Sequence, residues 1–306
     1  MTTLNHQNLD LTLYMRSSLL KDSALDTFQR LLRQLAPRWA SRLYLYRFRE
    51  SYPSIDITVD GALQELALTK GLERGMLFDR LQELTTSPKT SRRFGSLELR
   101  GANQQLTVVL QFDDWVFQPV GTAWIAGNSI SIQVRAGIVE EKEAVIWIQE
   151  CFSSCCRLLT PFYGFACATE EYESKNIFQK GGMVRAIGIN LAKHLPGLYW
   201  LNYFGEPYVK MMGEPRLMSA PTHDVTKIDS TGVLFKLCPT PVEWLTPQYK
   251  SLESSVVQHL GKQYFFSRDH QDRNKVSPFE LPEPHPSGKV QGYVDLDSVV
   301  RIIRIP

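Results

Sequence analysis

Leu97-Glu98-Leu99-Arg100, Leu106-Thr107-Val108-Val109-Leu110-Gln111-Phe112 and Val120-Gly121-Thr122-Ala123-Trp124 are short apolar runs separated by Gly101-Ala102-Asn103 and Gln118-Pro119. That spacing is the mark of an antiparallel meander. The next run, Ile130-Ser131-Ile132-Gln133-Val134-Arg135, alternates as a half-buried strand does. Only then does a helix begin, with the acidic Glu140-Glu141 at its start and a body from Ala144 to Leu159; acidic residues in a first turn suit the helix dipole. Strands that accumulate before a helix, instead of alternating with helices, predict an α+β fold with mixed or antiparallel sheets and packed helices.

Outward from this centre, Leu11 to Arg16 alternates as a strand. Residues 21–35 place Leu25, Phe28, Leu31, Leu32 and Leu35 on one helical side, Pro37 stops that helix, and Leu43 to Phe48 again has strand character. This strand, helix, strand order returns about 120 residues later in residues 130–168, with Pro161 after the helix and Tyr163 to Ala168 as the closing strand. Two readings stand side by side: an internal duplication with halves of about 1–126 and 127–276, or two units of a kind that any α+β protein contains. Either way the chain reads as a single α+β domain over 1–306. A further helix is predicted near residues 77–85.

In the later part, residues 183–191 and 197–204 are apolar segments, a short helix is expected at Pro207 to Met212, and Gly232 to Leu237 reads as a buried strand. Gln248 to Leu260 is helix-periodic, with Gly261 where a C-cap glycine belongs. Residues 277–288 hold four prolines and read as an extended surface connection, leading to an apolar stretch at 299–305 that is expected to dock as a strand.

Composition narrows the function. Apolar residues make up 43% and charged residues 22% of 306, enough for a core that needs no staple. Thirty-four Lys and Arg against thirty-two Asp and Glu leave a net charge of +2, too small a field to favour nucleic acid. The basic run 89–93 and the acidic run 140–143 read as solvated surface. No export signal is readable at residues 1–8 and no apolar run approaches the roughly 18 residues of a membrane span, so a cytoplasmic location is expected. Cys151, Cys155, Cys156, Cys167 and Cys238 are an odd set, three of them on one helix, and read as reduced, buried thiols.

The spacings of known chemistry are missing. No Gly-x-Ser-x-Gly elbow, phosphate loop or dinucleotide fingerprint occurs, and Gly181-Gly182 reads as a turn. His6, His194, His223, His259, His270 and His285 lack the i, i+4 pairing that aims two imidazoles at one metal. Asp269-His270-Gln271-Asp272 reads as a polar loop, and Asp113-Asp114 as a strand end whose side chains point to opposite faces. No catalytic residue, metal ligand or cofactor site is therefore assigned. A dispersed site, Cys167 or Cys238 with His259 or His223, stays open as the hydrolase alternative, beside a structural or adaptor role in a secretion system.

The most distinctive passage is Leu195-Pro196-Gly197-Leu198-Tyr199-Trp200-Leu201-Asn202-Tyr203-Phe204-Gly205-Glu206-Pro207-Tyr208, five of whose fourteen residues are aromatic. Either it is a central strand buried on both sides, or part of its aromatic set lines a recognition surface, since Tyr and Trp give large contact areas at interfaces. Tyr199, Trp200, Tyr203 and Tyr208 are the candidates from this passage.

Gly197 to Gly205, Pro207-Tyr208, the passage through Pro241 and Trp244, and His259-Leu260-Gly261 with Phe265-Phe266 together resemble the type VI immunity family, bacterial proteins encoded beside secreted toxins. The resemblance runs from the first strand-helix unit to about Phe266. It implies an antidote acting in the cytosol, an immunity protein that binds one cognate protein toxin by surface contact and has no enzymatic activity of its own. It carries no toxin-contact residues over, so these are chosen from composition: the four aromatics above and an acidic set, Glu140, Glu141, Glu143, Glu170, Glu171 and Glu173. The weak overall charge disfavours a nuclease target recognised mainly by electrostatics.

Overall fold

The computed structural model describes residues 8–16, 40–46, 94–101, 106–113, 117–120, 123–135, 142–180, 183–191, 193–267, 276–280 and 301–302. The helices expected at 21–35 and 77–85, the run 89–93, Gly181-Gly182 and Asp269 to Asp272 lie outside them. In chain order the strands before the first described helix are β1 (Leu9–Met15), β2 (Ala40–Tyr46), β3 (Phe94–Gly101), β4 (Leu106–Asp113), β5 (Phe117–Val120), β6 (Ala123–Ala126) and β7 (Asn128–Val134). Helix α1 (Lys142–Leu159), β8 (Tyr163–Ala168), α2 (Thr169–Asn176), β9 (Ile177–Lys180) and β10 (Met183–Ala186) follow. Then come β11 (Leu201–Phe204), α3 (Glu206–Met212), α4 (Glu214–Met218), β12 (Asp224–Ile228), β13 (Gly232–Lys236), α5 (Pro247–Leu260), β14 (Phe279–Glu280) and β15 (Arg301–Ile302).

The fold is α+β, organised on one sheet of order β12-β13-β11-β8-β1-β7-β4-β3-β2 in which the neighbouring strands run antiparallel. The N-terminal strand is central: β1 pairs with β7, Leu9 opposite Val134, and with β8, Leu9 opposite Ala168. Alternation decides its two faces. Leu9, Leu11, Leu13 and Met15 are buried, and so are Ile130, Ile132 and Val134 on β7. Helix α1 supplies Ile148, Cys151, Phe152, Cys155 and Cys156 at helical spacing to this core. The approach is close at Gly164, where an added Cβ would collide with Leu13 and stand 3.5 Å from the Phe152 ring. A side chain there would displace Leu13 from its place in the core.

Beyond β8 the opposite face is covered by the segment 195–200, with α2 and α5 behind it. This segment is not strand: only Leu201 to Phe204 joins the sheet, pairing with β8 and β13. Asn202 explains the break, because its side chain accepts from the Tyr199 N–H at 2.9 Å and donates to the Tyr199 carbonyl at 2.7 Å, taking the place of ladder partners.

Two expectations are corrected. The run 120–124 is not one strand, for Val120 pairs with Ala123 in a separate two-stranded sheet, so the run is split between β5 and β6. The segment from 277 does not begin on the surface: Ser277 and Phe279 are buried, the Ser277 hydroxyl donates to the Leu191 carbonyl at 2.6 Å, and Phe279 packs edge-on against Phe162 and Tyr208. An aromatic among prolines found a ring cluster to enter. The terminal stretch pairs as expected, Ile302 opposite Phe279.

Candidate functional site

Tyr199, Trp200, Tyr203 and Tyr208 are core residues, at 0, 0, 2 and 1% exposure, so they offer no contact area to a partner. The surface assignment for these four is corrected to a packing role. Tyr199 stacks on Phe165 with centroids 4.4 Å apart, and its hydroxyl bonds the carboxamide oxygen of Asn176. The Trp200 indole donates to the Cys238 carbonyl at 3.1 Å. Tyr208 rests 5.8 Å from the Tyr163 ring, and Tyr203 lies against Gly232, where a Cβ would strike its ring. Four large rings on a passage with glycines at 197 and 205 fill a space; they do not display themselves.

The acidic set divides. Glu140 and Glu141 lie outside the described residues, and Glu143 is placed on α1 by its backbone alone. Glu171 is fully buried, bonded through Oε1 to the Lys175 ammonium at 2.7 Å and to the Tyr249 hydroxyl at 2.6 Å. It is therefore corrected from a surface contact to a structural one. Burial raises its carboxyl above the usual range, opposed by Lys175. Lys175 also donates to the Leu198 carbonyl at 2.6 Å and pairs with Glu253 on α5 at 2.8 Å. Burial pulls this ammonium down, but Glu171 and Glu253 outweigh it and its pKa stands above the ordinary value. Glu173 is exposed and Glu170 partly so.

The thiols are held as thiols. All five are buried, and burial raises Cys167 well above its ordinary value and Cys238 to about 12. The Cys238 thiol donates to the Thr240 carbonyl at 3.1 Å. His223 is its neighbour along the chain edge, through a backbone bond to Leu237, but no thiol–imidazole bond joins them among the described residues. His259 Nε2 lies 2.9 Å from the Arg216 carbonyl and 3.3 Å from the Ser219 hydroxyl. A nitrogen that donates to a carbonyl carries a proton and cannot take one from Ser219. The dispersed Cys/His pair is not brought together in a form that activates a nucleophile.

What sequence reasoning missed is a groove of about 400 Å³ on the sheet face opposite α1. Its floor is the second face of the pleat: Asp10, Thr12 and Tyr14 of β1, Ser129, Ser131 and Gln133 of β7, and Gln111 of β4, closed at one side by Phe165 and Tyr172. The floor is laced across strands, Thr12 to Ser131 at 3.3 Å, Ser129 to Gln111 at 3.2 Å, and Gln133 donating to Asp10 at 3.0 Å. Burial raises the Asp10 carboxyl, opposed by the polar side chains of Thr169 and Gln133 and reinforced by Glu173. Glu170 is raised too, by burial and by Glu173 and Asp10 against its own backbone N–H, and its Oε2 is enclosed without a partner. The signal in the sequence was the polar half of each alternating strand, which reads as ordinary solvent face when the strands are taken one at a time.

No family model matches the chain, and no curated protein matches it. Among solved structures, it is similar to a Pseudomonas aeruginosa T6SS protein, PA0821, at 10% identity over 83% of each chain, with a TM-score of 0.44. It is also similar to the toxic C-terminal tip of CdiA from Pseudomonas aeruginosa in complex with immune protein, at 9% identity over 54% of this chain and 87% of that one, with a TM-score of 0.28. At these identities no site residue transfers. Among the described residues no helix is long and apolar enough to cross a membrane.

Proposed function

We propose that this chain is an immunity protein of the type VI kind, which binds one cognate bacterial toxin in the cytosol and neutralises it by contact, without turnover of its own. The observation that carries this reading is that segments at or beside the passages resembling the immunity family pack against one another. Leu195, just before Gly197, bridges to Phe265, its N–H donating to the Tyr264 carbonyl at 2.7 Å and its carbonyl accepting from Phe266 at 2.8 Å. Trp200 donates to the carbonyl of Cys238, just before Pro241. Their placement in one scaffold supports the reading. The burial of all five thiols fits a protein whose tool is surface complementarity.

The test is genetic and direct. Toxins encoded next to the gene are expressed in a sensitive host with and without this chain; rescue by this chain alone, with co-purification of the pair, is the expected outcome. Failure to rescue against every adjacent toxin rejects the reading.

A further inference from the structure

The groove lies on the sheet face away from α1, and its polar floor of Asp10, Thr12, Ser131 and Gln133 is separate from the buried network of Glu171, Lys175 and Glu253. Its chemistry is one-sided. Asp10 lies at one end beside Glu173, whose charge raises its carboxyl, and both acids raise the carboxyl of Glu170. The Tyr172 hydroxyl stands within electrostatic reach of both Asp10 and Tyr14. Carboxylate, phenol oxygen and carboxamide oxygen can all accept, and the Asp10 carboxylate accepts from Gln133 through Oδ1, with the Thr169 side chain beside it. Such an end calls for a donor-rich cation.

The groove's length fixes what else enters. Asp10 and Tyr14 are four residues apart on one face of β1, so they stand about 13 Å apart at the rise of an extended strand. That is about the span of four residues of extended peptide, with Thr12 and Ser131 between the ends. We propose that this groove is the toxin-contact site of the immunity protein, and that it seats an extended toxin segment whose arginine side chain lies between Asp10 and the Tyr172 hydroxyl.

The proposal rests on the immunity reading. An arginine is favoured because its planar fork of five donors can engage a carboxylate and a phenol at once and never loses its charge. The remaining backbone of the segment would lie over the hydroxyls of Thr12 and Ser131. The local acidity does not require a strongly acidic protein, and so agrees with a net charge of +2.

The experiment is isothermal titration with the toxin encoded beside the gene, its own active site inactivated, against four forms of the full chain. These are wild type, Asp10→Asn, Gln133→Arg and Glu214→Gln. The last changes charge as Asp10→Asn does, at an exposed acid on α4 that pairs with Lys227. Gln133 is exposed at the groove, so Gln133→Arg keeps the fold while placing a guanidinium of the chain's own against Asp10. Expected are at least tenfold weaker binding for Asp10→Asn and Gln133→Arg, an unchanged Glu214→Gln, and a weaker salt dependence for Asp10→Asn. If Asp10→Asn does not fold, Gln133→Arg decides. Tight binding by all four forms alike overturns the groove and leaves the immunity reading intact; no binding even by wild type overturns both.

Discussion

The ammonium of Lys175 on α2 lies 2.8 Å from the carboxylate of Glu253 on α5. The same nitrogen holds Glu171 and the Leu198 carbonyl, and stands 4.9 and 5.4 Å from the ring centres of Tyr199 and Tyr249. One cation therefore ties two helices to the segment that covers the sheet. Replacing Lys175 by Met leaves Glu171 buried with its counterion gone, and the expected loss is about 3–5 kcal/mol in urea unfolding, the range for a broken buried pair. The double variant with Glu171→Gln should recover part of that loss, because the uncompensated charge is removed with its partner.

Trp200→Ala separates scaffold from surface. The indole is fully buried and bonded to Cys238, so truncation should cost about 3–5 kcal/mol by cavity formation and a lost donor. Toxin affinity per folded molecule should stay as in wild type. A selective loss of affinity at full stability would return the aromatic passage to the interface.

Gly205→Ala and Gly213→Ala should differ in size for different reasons. At Gly205 a Cβ would collide with the Pro161 carbonyl oxygen and lie 2.9 Å from the Phe162 Cα, backbone that cannot step aside; Gly205 and Phe162 are also bonded at 3.0 Å. Gly213 has φ of 89°, with nothing within 4 Å of the added carbon, so only backbone strain is at stake. About 1 kcal/mol is expected at Gly213, and at least 2–3 at Gly205. Thermal unfolding of the two variants checks the order.

Stability should fall in alkali. The bond with Cys151 and then burial raise the Cys155 thiol, and burial raises the Cys156 and Cys167 thiols and the Tyr163, Tyr199 and Tyr208 phenols, so the folded chain keeps protons that the unfolded chain releases. The unfolded state then binds fewer protons, and the slope of stability against pH is negative. The contribution is complete below the ordinary thiol value of 9.0 and is lost progressively above it, the phenols adding beyond 10.0. A Tm measured from pH 7 to 11 should hold to about 9 and then decline. By the same burial, an aromatic disulfide reagent should label none of the five thiols in the native protein at neutral pH, and all of them in denaturant.

The sequence made the local elements legible where period and punctuation agreed. Tyr163 to Ala168 follows Pro161 and reads as a strand, and the strand has those bounds. The helix ending at Leu260 was marked by Gly261, and it ends there with φ of 117° at the glycine. What was not legible depends on contacts between distant residues. Tyr199 and Trp200 look alike as core or as surface until Phe165, Asn176 and Cys238 are placed around them. Glu171 reads as one acid among three in its helix until Lys175, Tyr249 and Glu253 enclose it. The groove exists only when β1, β4 and β7 lie side by side, so no single stretch of chain announces it.

The central place of β1 sets a condition on synthesis. Thr12 finds Ser131 across 119 residues of chain, and the other edge of the strand waits for β8. A nascent chain emerging from the ribosome thus holds its middle strand without its second partner until more than half of the protein has been made, a demand that non-local pairing places on folding rate. Deleting residues 1–15 would remove β1 and leave the facing edges of β7 and β8 unpaired, and aggregation is the expected outcome.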